Sequence, residues 1–261
     1  MRIVFTLLIA VAFAPAASAD GVKLNLRQVS EILMKAVPGH PPDFSHDDLS
    51  FLDLSDLDFR QAKLIGANLY GADLSRDDLS GADLSGANLD HTMITRTNFA
   101  GANLANASLY DSAAYSTLEP SPAEAPNFVG ANLSGAHVIA RLNHADMHGA
   151  DLTGVRMSMT TDQMITAVRN NDLSGCNLSG ANLTDADLQQ VRLTFANLTN
   201  ANLSGANLAS SDMTRADLTG ANVAGANLTD VDLAGTVMRH VVGLGEARGL
   251  DHARNRDKAV Q

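Results

Sequence analysis

Large aromatic side chains are scarce in this sequence. Its 261 residues include no Trp, and aromatic residues make up only 4% of the chain. Bulky side chains normally fill a globular interior, whereas the apolar 45% here consists mostly of Ala and Leu. The composition argues against an ordinary aromatic-filled core and favours a repetitive architecture.

Positive charge and cysteine are also in short supply. Lys and Arg number 18 against 29 Asp and Glu, which gives a net charge of -11. Proteins that bind nucleic acids neutralise phosphates with clustered Lys and Arg, so we predict no direct nucleic-acid binding. Cys176 is the one cysteine, which excludes an internal disulfide.

The sequence has one long apolar run, and it lies at the start. Residues 3–13 are apolar apart from one Thr, follow Met1 and Arg2, and precede a small-x-small site at 17–19. The run is too short for a membrane span of about 20 residues. We predict a bacterial Sec-type signal peptide cleaved after Ala19, a periplasmic or secreted mature chain and no membrane anchor.

A five-residue unit recurs through most of the remaining chain. Clear copies are Ala-Asp-Leu-Ser-Gly at 82–86 and Ala-Asn-Leu-Ser-Gly at 131–135 and 201–205, and about 34 units are present. A period of five matches neither the 3.6 of a helix nor the 2 of a strand. The chain must therefore turn once per unit, and a regular series of such turns predicts a stacked solenoid.

The residue types within a unit indicate which side chains point inward. With the central Leu, Phe or Met at position i, only i and i−2 stay apolar throughout, and position i−2 is usually Ala. Positions i−1, i+1 and i+2 hold Asp or Asn, Ser or Thr, and Gly or a polar residue, which suit turns and an exposed face. We expect i and i−2 to fill the interior.

Tandem A(D/N)LXX units over residues 44–240 resemble those of the pentapeptide-repeat proteins. The resemblance implies an all-β fold, a right-handed quadrilateral parallel β-helix with four units per coil. About 34 units would form about 8.5 coils, a rod of roughly 40 Å at ~4.8 Å per coil. Because an open solenoid end exposes apolar side chains, we also expect short α-helical N- and C-terminal caps.

The chain divides into a leader, a repeat region with two interruptions, and two ends. At the N-terminal end, Asn25 and Gln28 form a capping-box pattern before Val29 and Ile32, which predicts a short helix. We assign a signal peptide (1–19), an N-terminal helical cap (20–43), the repeat β-helix (44–240) with a loop (110–126) and a helical insertion (160–171), and a C-terminal cap or tail (241–261).

The repeat is also irregular between Val138 and Leu142, which are four residues apart and indicate a deletion or bulge. Partner recognition is most economically placed on departures from the repeat, because regular coils are built alike. Alternatively, the loop and the helical insertion have no function and are additions that the solenoid tolerates.

No constellation in the sequence predicts catalysis. An active site needs tuned nucleophiles or acid–base pairs in a concave site, whereas the polar groups here repeat around a convex rod. Cys176 lies at an i−2 position and reads as a small buried filler. We predict that the protein is not an enzyme and assign no catalytic and no cofactor-binding residues.

Two groups of residues carry side chains that can bind metals. His137, His144 and His148 lie near Met147 and Met157 in sequence, and His and Met together bind soft metals such as copper. The methionines fall at inward positions and the histidines at outward ones, so we interpret these as surface histidines, although metal binding stays open. Asp53, Asp56 and Asp58 lack the pattern of a calcium loop. No metal is assigned.

Two functions from different classes follow from these features. The first is a non-enzymatic, exported interaction solenoid whose partner is another protein or an envelope component. The alternative, implied by the family, is an acidic DNA mimic that inhibits a type II topoisomerase. Mimicry needs ordered rows of acid, but Asn182, Asn202 and Asn222 predict an uncharged ladder on one side, and Arg192 interrupts another row. An exported protein would also not meet a topoisomerase in the cytoplasm. The oligomeric state stays open.

Overall fold

A computed structural model describes residues 21–116, 120–158 and 171–260. Helices and strands are few, and within these ranges no helix is long and apolar enough to cross a membrane. The signal peptide expected at 1–19, and residues 160–170 of the expected helical insertion, lie outside the described residues. In chain order the elements are helix α1 (Leu26–Met34), strand β1 (Ser108–Ala113), a 3-10 helix (Pro122–Glu124), strand β2 (His137–Arg141) and two 3-10 helices (Leu250–His252 and Arg256–Lys258).

Most of the chain is a stack of coils joined by single parallel bridges. Asp48 bridges Asn68, twenty residues later, and the next bridge joins Asp53 to Asp73. Bridges recur every five residues, so each regular coil of twenty residues carries four of them. The predicted solenoid is therefore confirmed, while its right-handed sense and quadrilateral section stay predictions.

Each unit turns through a residue at i+2 with a left-handed backbone. Gly205 has φ of 71°, and a Cβ there would lie 2.2 Å from Asp185 Oδ1 in the preceding coil. Glycine is favoured at such a position because it adopts positive φ freely and leaves room for the neighbour. Non-glycine residues also adopt this conformation, among them Phe51 with φ of 60°.

The interior is filled as the repeat predicts. Leu203 at an i position and Ala201 at i−2 are 0% and 1% exposed. Phenylalanines at i pack against each other inside the rod, edge to face for Phe44 and Phe59 and stacked at 4.9 Å for Phe99 and Phe128. A small residue at i−2 beside a large one at i lets a narrow coil close without a void.

At the N-terminal end, α1 begins with the predicted capping box. Asn25 Oδ1 accepts from the backbone N–H of Gln28, and Gln28 Oε1 accepts from the N–H of Asn25. Val29 is buried and Ile32 packs on the core, so this face of α1 adjoins the first coil. The chain reaches the stack through Lys23, which bridges Asp48.

The irregular middle differs from the expected loop at 110–126. Its first four residues belong to β1, which pairs in parallel with β2, and Ser112 is buried. The register shifts between Tyr110 and Ala113, where one extra residue bulges out. β2 is the stretch where the repeat spacing falls to four, so a bulge in one coil is set against the shortened spacing in the next.

The C-terminal segment forms a last, wider coil instead of the expected short α-helical cap. Its bridges fall at Val242, Arg248, Arg254 and Val260, six residues apart, and the two 3-10 helices lie between them. Gly243 has φ of 79°, and a Cβ there would meet the backbone of Ala224 at 2.4 Å. The glycines that interrupt the repeat let this coil lie directly on the one before it.

Candidate interaction surface

The i−1 side chains form four columns that follow the bridges. In one column Asn222 Nδ2 donates to Asn202 Oδ1 at 3.2 Å, and Asn202 Nδ2 donates to Asn182 Oδ1 at 3.4 Å. The predicted asparagine ladder is confirmed. In another column Asp172 forms an ion pair with Arg192 at 3.1 Å, so the row of acids there is interrupted as predicted.

Many aspartates at i−1 serve the fold. Asp78 Oδ1 accepts from the backbone N–H of Ser80 at 3.0 Å and from Asn98 Nδ2 in the next coil at 3.0 Å. At Asp48, bonds from Ser50 and the nearby Lys23 ammonium lower the carboxyl pKa to about 2. These carboxylates are acceptors that hold turns and coils together, which accounts for part of the acidic composition.

The three histidines of the sequence analysis lie in different surroundings. His137 is half-buried and stacks on Tyr110, whereas His144 is exposed and His148 Nδ1 lies 2.8 Å from the backbone oxygen of Ser179. Met147 and Met157 point into the core. Across 21–116, 120–158 and 171–260, no cluster of three or more His, Cys, Asp and Glu is arranged to hold a metal.

Cys176 is buried inside the rod. It is 0% exposed, and its Sγ–H donates to the backbone oxygen of Leu142 at 2.9 Å. Burial raises the pKa of the thiol, which favours the unreactive protonated form. The placement matches the small interior filler that the i−2 position predicts.

A row of rings runs up one exposed side of the N-terminal half. Ring centroids lie 5.3 Å apart for Phe51 and Tyr70, 5.1 Å for Tyr70 and His91, 5.7 Å for His91 and Tyr110, and 6.3 Å for Tyr110 and His137. We call these five residues the aromatic ladder. Three of the four neighbouring pairs meet edge to face, which is a favoured geometry for aromatic rings.

The ladder arises because successive coils place the ring at alternate positions of the unit. Phe51 and His91 occupy i+2, while Tyr70 and Tyr110 occupy i+1 in the coils between. Beside Phe51, position i+2 of the next coil is Gly71, whose absent Cβ would lie 2.9 Å from the Phe51 ring. This alternation staggers the rings and lets them interlock.

Sequence analysis missed the ladder because its members do not share one repeat position. Phe51, Tyr70, His91 and Tyr110 are separated by 19, 21 and 19 residues, close to the twenty of one coil. A search for rings about one coil apart at either outward position would have found them. The five-residue periodicity alone gives no such signal.

A second surface feature is a hollow of about 560 Å³ at the C-terminal end. Its apolar lining comes from the last coils, and basic side chains stand beside it. The lining residues are Met238, Arg239, His240, Val241, Leu244, Leu250, Arg256 and Ala259. This hollow is where the core of the solenoid reaches the end of the stack.

A stack of five-residue units with inward Leu and Ala defines the class of solenoid repeat proteins. The family model for pentapeptide repeats (8 copies) matches residues 43–81, 78–111, 140–160, 169–194 and 196–235, more than half of the chain. The chain therefore belongs to the pentapeptide-repeat family. Proteins of this family are generally structural or interaction proteins rather than enzymes.

Solved structures of the same family resemble the chain. HetL from the cyanobacterium Nostoc, a pentapeptide repeat protein involved in heterocyst differentiation regulation, is 22% identical with a TM-score of 0.53, over 91% of this chain and 94% of HetL. At this identity the likeness shows the shared fold alone.

Two further structures match less well. Full-length QnrB1, a plasmid-mediated fluoroquinolone resistance protein, is 21% identical over 69% of this chain and 83% of QnrB1, with a TM-score of 0.31. A pentapeptide repeat protein of the Arabidopsis thaliana thylakoid lumen is 26% identical over 51% and 75%, with a TM-score of 0.22. Such low TM-scores add nothing to the fold. No curated protein sequence matches the chain.

Proposed function

We propose that this protein is a non-enzymatic interaction scaffold, exported to the periplasm or secreted, with a right-handed, four-sided β-helix as its rod. The proposal is supported by the repeated polar side chains, whose hydrogen bonds hold the turns and coils of the fold together. Aspartates and asparagines at i−1 accept from the backbone two residues on and bond along the columns, as Asp78 and Asn202 do. A rod built in this way presents a surface and not a reaction centre.

Export is the part of the proposal that depends on the first 19 residues. A positive start, a short apolar run and the small-x-small site before Asp20 support cleavage there. N-terminal sequencing of the abundant protein after cell fractionation tests it. A first residue of Asp20 in the periplasmic or secreted fraction is expected, and Met1 on the abundant cytoplasmic form would refute export.

Partner recognition is proposed on departures from the regular repeat. Among the described residues between Ala113 and Asn127, Ser116 Oγ donates to Glu124 and Arg96 Nε donates to the backbone oxygen of Ala123. Surface segments of this kind carry recognition in many folds. The aromatic ladder lies on regular coils, on β1 and on β2, and it is a second place where outward positions carry residues that the repeat does not usually have there.

The test of the scaffold role is affinity capture from the expected compartment with the purified mature protein. One variant replaces 114–126 by four residues, the number that a regular unit has between consecutive bridge positions such as Ala113 and Asn127, and a matched control replaces the regular unit 201–205 by another standard unit. We expect a specific partner with wild type and with the control, and its loss with the 114–126 variant. Identical partners for all three proteins would refute the role of this segment, and no partner at all would refute the scaffold role.

The DNA-mimic alternative receives less support from the structure. The asparagine ladder at 182, 202 and 222 is uncharged, and Arg192 neutralises Asp172 in a second column. A mimic of a duplex needs a continuous row of negative charge on its surface. A DNA supercoiling assay with type II topoisomerase separates the two functions: inhibition at micromolar concentrations of mature protein would support mimicry and refute our proposal.

A further inference from the structure

We infer that the hollow at the C-terminal end binds an amphiphile with one alkyl chain and an anionic head group, such as a long-chain carboxylate. The inference goes beyond the scaffold role, because a bound amphiphile neither needs nor excludes a protein partner. Three features of the last coil carry it: an apolar floor, bases whose side chains have no partner among the described residues, and a reversal of the charge of the rod.

The floor of the hollow consists of side chains that continue the core of the rod. Met238 lies at an i position, and Val241, Leu244 and Leu250 follow it round the last coil. All four pack on the core but are only half-buried. Leu218, in the position below Met238, is 1% exposed because the next coil covers it. The described residues thus leave an apolar surface that terminal repeats usually cover.

The hollow has the size of a small-molecule site. Its volume of about 560 Å³ falls within the roughly 300–1,000 Å³ of ligand pockets, which are mostly apolar and carry a few polar groups. One alkyl chain with one head group fits this division into an apolar floor and a polar side. A wholly polar ligand would leave the floor exposed to water, and a plain hydrocarbon would leave the bases without an acceptor.

Three bases line the polar side of the hollow. Arg239, His240 and Arg256 are exposed, and their side chains form no ion pair and no hydrogen bond with another described residue. A guanidinium offers parallel N–H donors, which bind a carboxylate or a phosphate through two hydrogen bonds at once. An anionic head group supplies the acceptors that these donors lack.

The other bases of the last coil are engaged with the rod. Arg248 Nη2 donates to the backbone oxygen of Gly225, and Arg254 Nε donates to that of Asp230. Lys258 Nζ donates to a side-chain oxygen within its own coil. None of these three bases lines the hollow. The bases without a partner are therefore the ones that the hollow brings together.

The charge of the rod reverses at this end. The whole chain has 18 Lys and Arg against 29 Asp and Glu, whereas residues 237–260 hold five against three. The three acids are Glu246, Asp251 and Asp257; none lines the hollow, and Asp251 pairs with His252. The local field therefore favours an anion. It also disfavours the same end of a second copy, which would bring two positive ends together.

The probes are octanoate, decanoate, dodecanoate and dodecyl phosphate, titrated below their micelle concentrations into the full mature protein and measured by calorimetry. We expect one site per chain and an affinity that rises about fivefold for every two added methylenes, because burial of each methylene is favourable. Binding of dodecanoate or dodecyl phosphate supports the inference, and the tighter of the two identifies the head group. Binding of neither, or uptake without saturation, would overturn the inference.

A change of head group tests the bases. Dodecyltrimethylammonium has the same alkyl chain with a positive head and should bind at least tenfold more weakly than dodecanoate. Added salt should weaken the binding of dodecanoate, because the attraction between exposed charges is screened. Equal affinity for the two head groups would overturn the inference, since the bases would then select nothing.

The methyl resonances of methionine report where the amphiphile binds. Met238 lines the hollow, whereas Met147 is buried in the middle of the rod. Dodecanoate should shift the Met238 methyl resonance and leave that of Met147 unchanged, each assigned with its Met→Leu variant. Saturable binding without a shift at Met238 would place the amphiphile elsewhere and overturn the inference.

Two matched double variants test the role of the bases. Arg239→Gln with Arg256→Gln should weaken dodecanoate binding at least tenfold. Arg248→Gln with Arg254→Gln removes the same charge from the same coil, outside the hollow, and should change the affinity less than twofold. Circular dichroism and melting temperature check that both proteins keep the fold. Equal effects of the two double variants would overturn the inference.

A second pair of variants tests the space. Ala259→Phe places a ring at the hollow and should weaken dodecanoate binding at least fivefold, whereas Ala253→Phe, on the same coil but outside the lining, should not. Unchanged binding in Ala259→Phe would overturn the inference. Sedimentation of the ligand-free protein tests the other occupant: a dimer that Ala259→Phe dissociates and dodecanoate does not would show that a second copy fills the hollow, and would overturn the inference.

Discussion

Asp77 Oδ1 accepts a hydrogen bond from the backbone N–H of Leu57 at 2.9 Å, one coil away, inside the rod. Asp77 lies at an i−2 position, where Ala is usual, and is 1% exposed. Its second oxygen, Oδ2, has no hydrogen-bond partner among the described residues. Burial, reinforced by the nearby Asp73 and Asp56, raises the pKa of this carboxyl to about 8.

Asp77→Asn should stabilise the protein at alkaline pH. The folded-state pKa lies above the unfolded value near 3.8, so the folded state retains the proton and stability falls as pH rises from about 4 through about 8. Asn imitates the neutral carboxyl and keeps the acceptor for Leu57. We expect urea denaturation at pH 8.5 to show a gain on the order of 5 kcal/mol, and little difference at pH 4.

The control for this experiment is Asp78→Asn, one residue along and at the half-buried i−1 position. Asp78 faces outward, and Asn is common at i−1, so its unfolding midpoint should follow that of wild type with pH. A stability gain of Asp77→Asn that is the same at both pH values would contradict the assigned cause.

Ala201→Leu should destabilise the rod by about 1–3 kcal/mol, because overpacking a filled interior strains its neighbours. Ala201 and Leu203 are both buried. Asn202→Asp, between them but facing outward, should cost less. Chemical denaturation of the two variants checks this, and equal midpoints would contradict the assignment of inside and outside.

Cys176 should react with a thiol reagent only when the protein unfolds. The thiol is buried, donates to the Leu142 backbone oxygen, and has a raised pKa. Labelling followed by mass spectrometry should be slow in native buffer and complete in denaturant. Rapid native labelling would show that the site opens to solvent. An Ala201→Cys variant, buried at another i−2 position, is the matched control and should be equally protected.

Asn202→Ala should destabilise the rod without changing partner binding. Asn202 Oδ1 accepts from the Ser204 N–H and from Asn222, while Nδ2 donates to Thr184 Oγ1 at 2.8 Å as well as to Asn182. Loss of these bonds should cost about 1–3 kcal/mol in a denaturation experiment.

The matched control is Ser204→Ala, whose hydroxyl has only a 3.5 Å contact with Thr184 Oγ1 and should be nearly neutral. If Asn202→Ala were fully stable yet abolished capture of the partner, the asparagine ladder would be the recognition surface.

Regular units were predictable because each side chain's direction follows from its place in the unit. Leu203, Ala201 and Cys176 are buried as the i and i−2 positions require. The asparagine ladder followed from counting twenty residues per coil. Asp77 could not be foreseen, since its partner Leu57 comes from the preceding coil, and its raised pKa depends on burial that only the assembled rod creates.

The sequence alone determined the solenoid, its inner and outer faces and the capping box of Asn25 and Gln28, because these depend on local turning and on the repeat. Only the tertiary structure decided how coils of unequal length fit together: the bulge in β1 set against β2, and the last coil, whose bridges lie six residues apart. It also decided the aromatic ladder, where Tyr70 and His91 belong to different repeat positions. Stacking brings them to 5.1 Å because the distance between coils, and not the distance along the chain, fixes which rings meet.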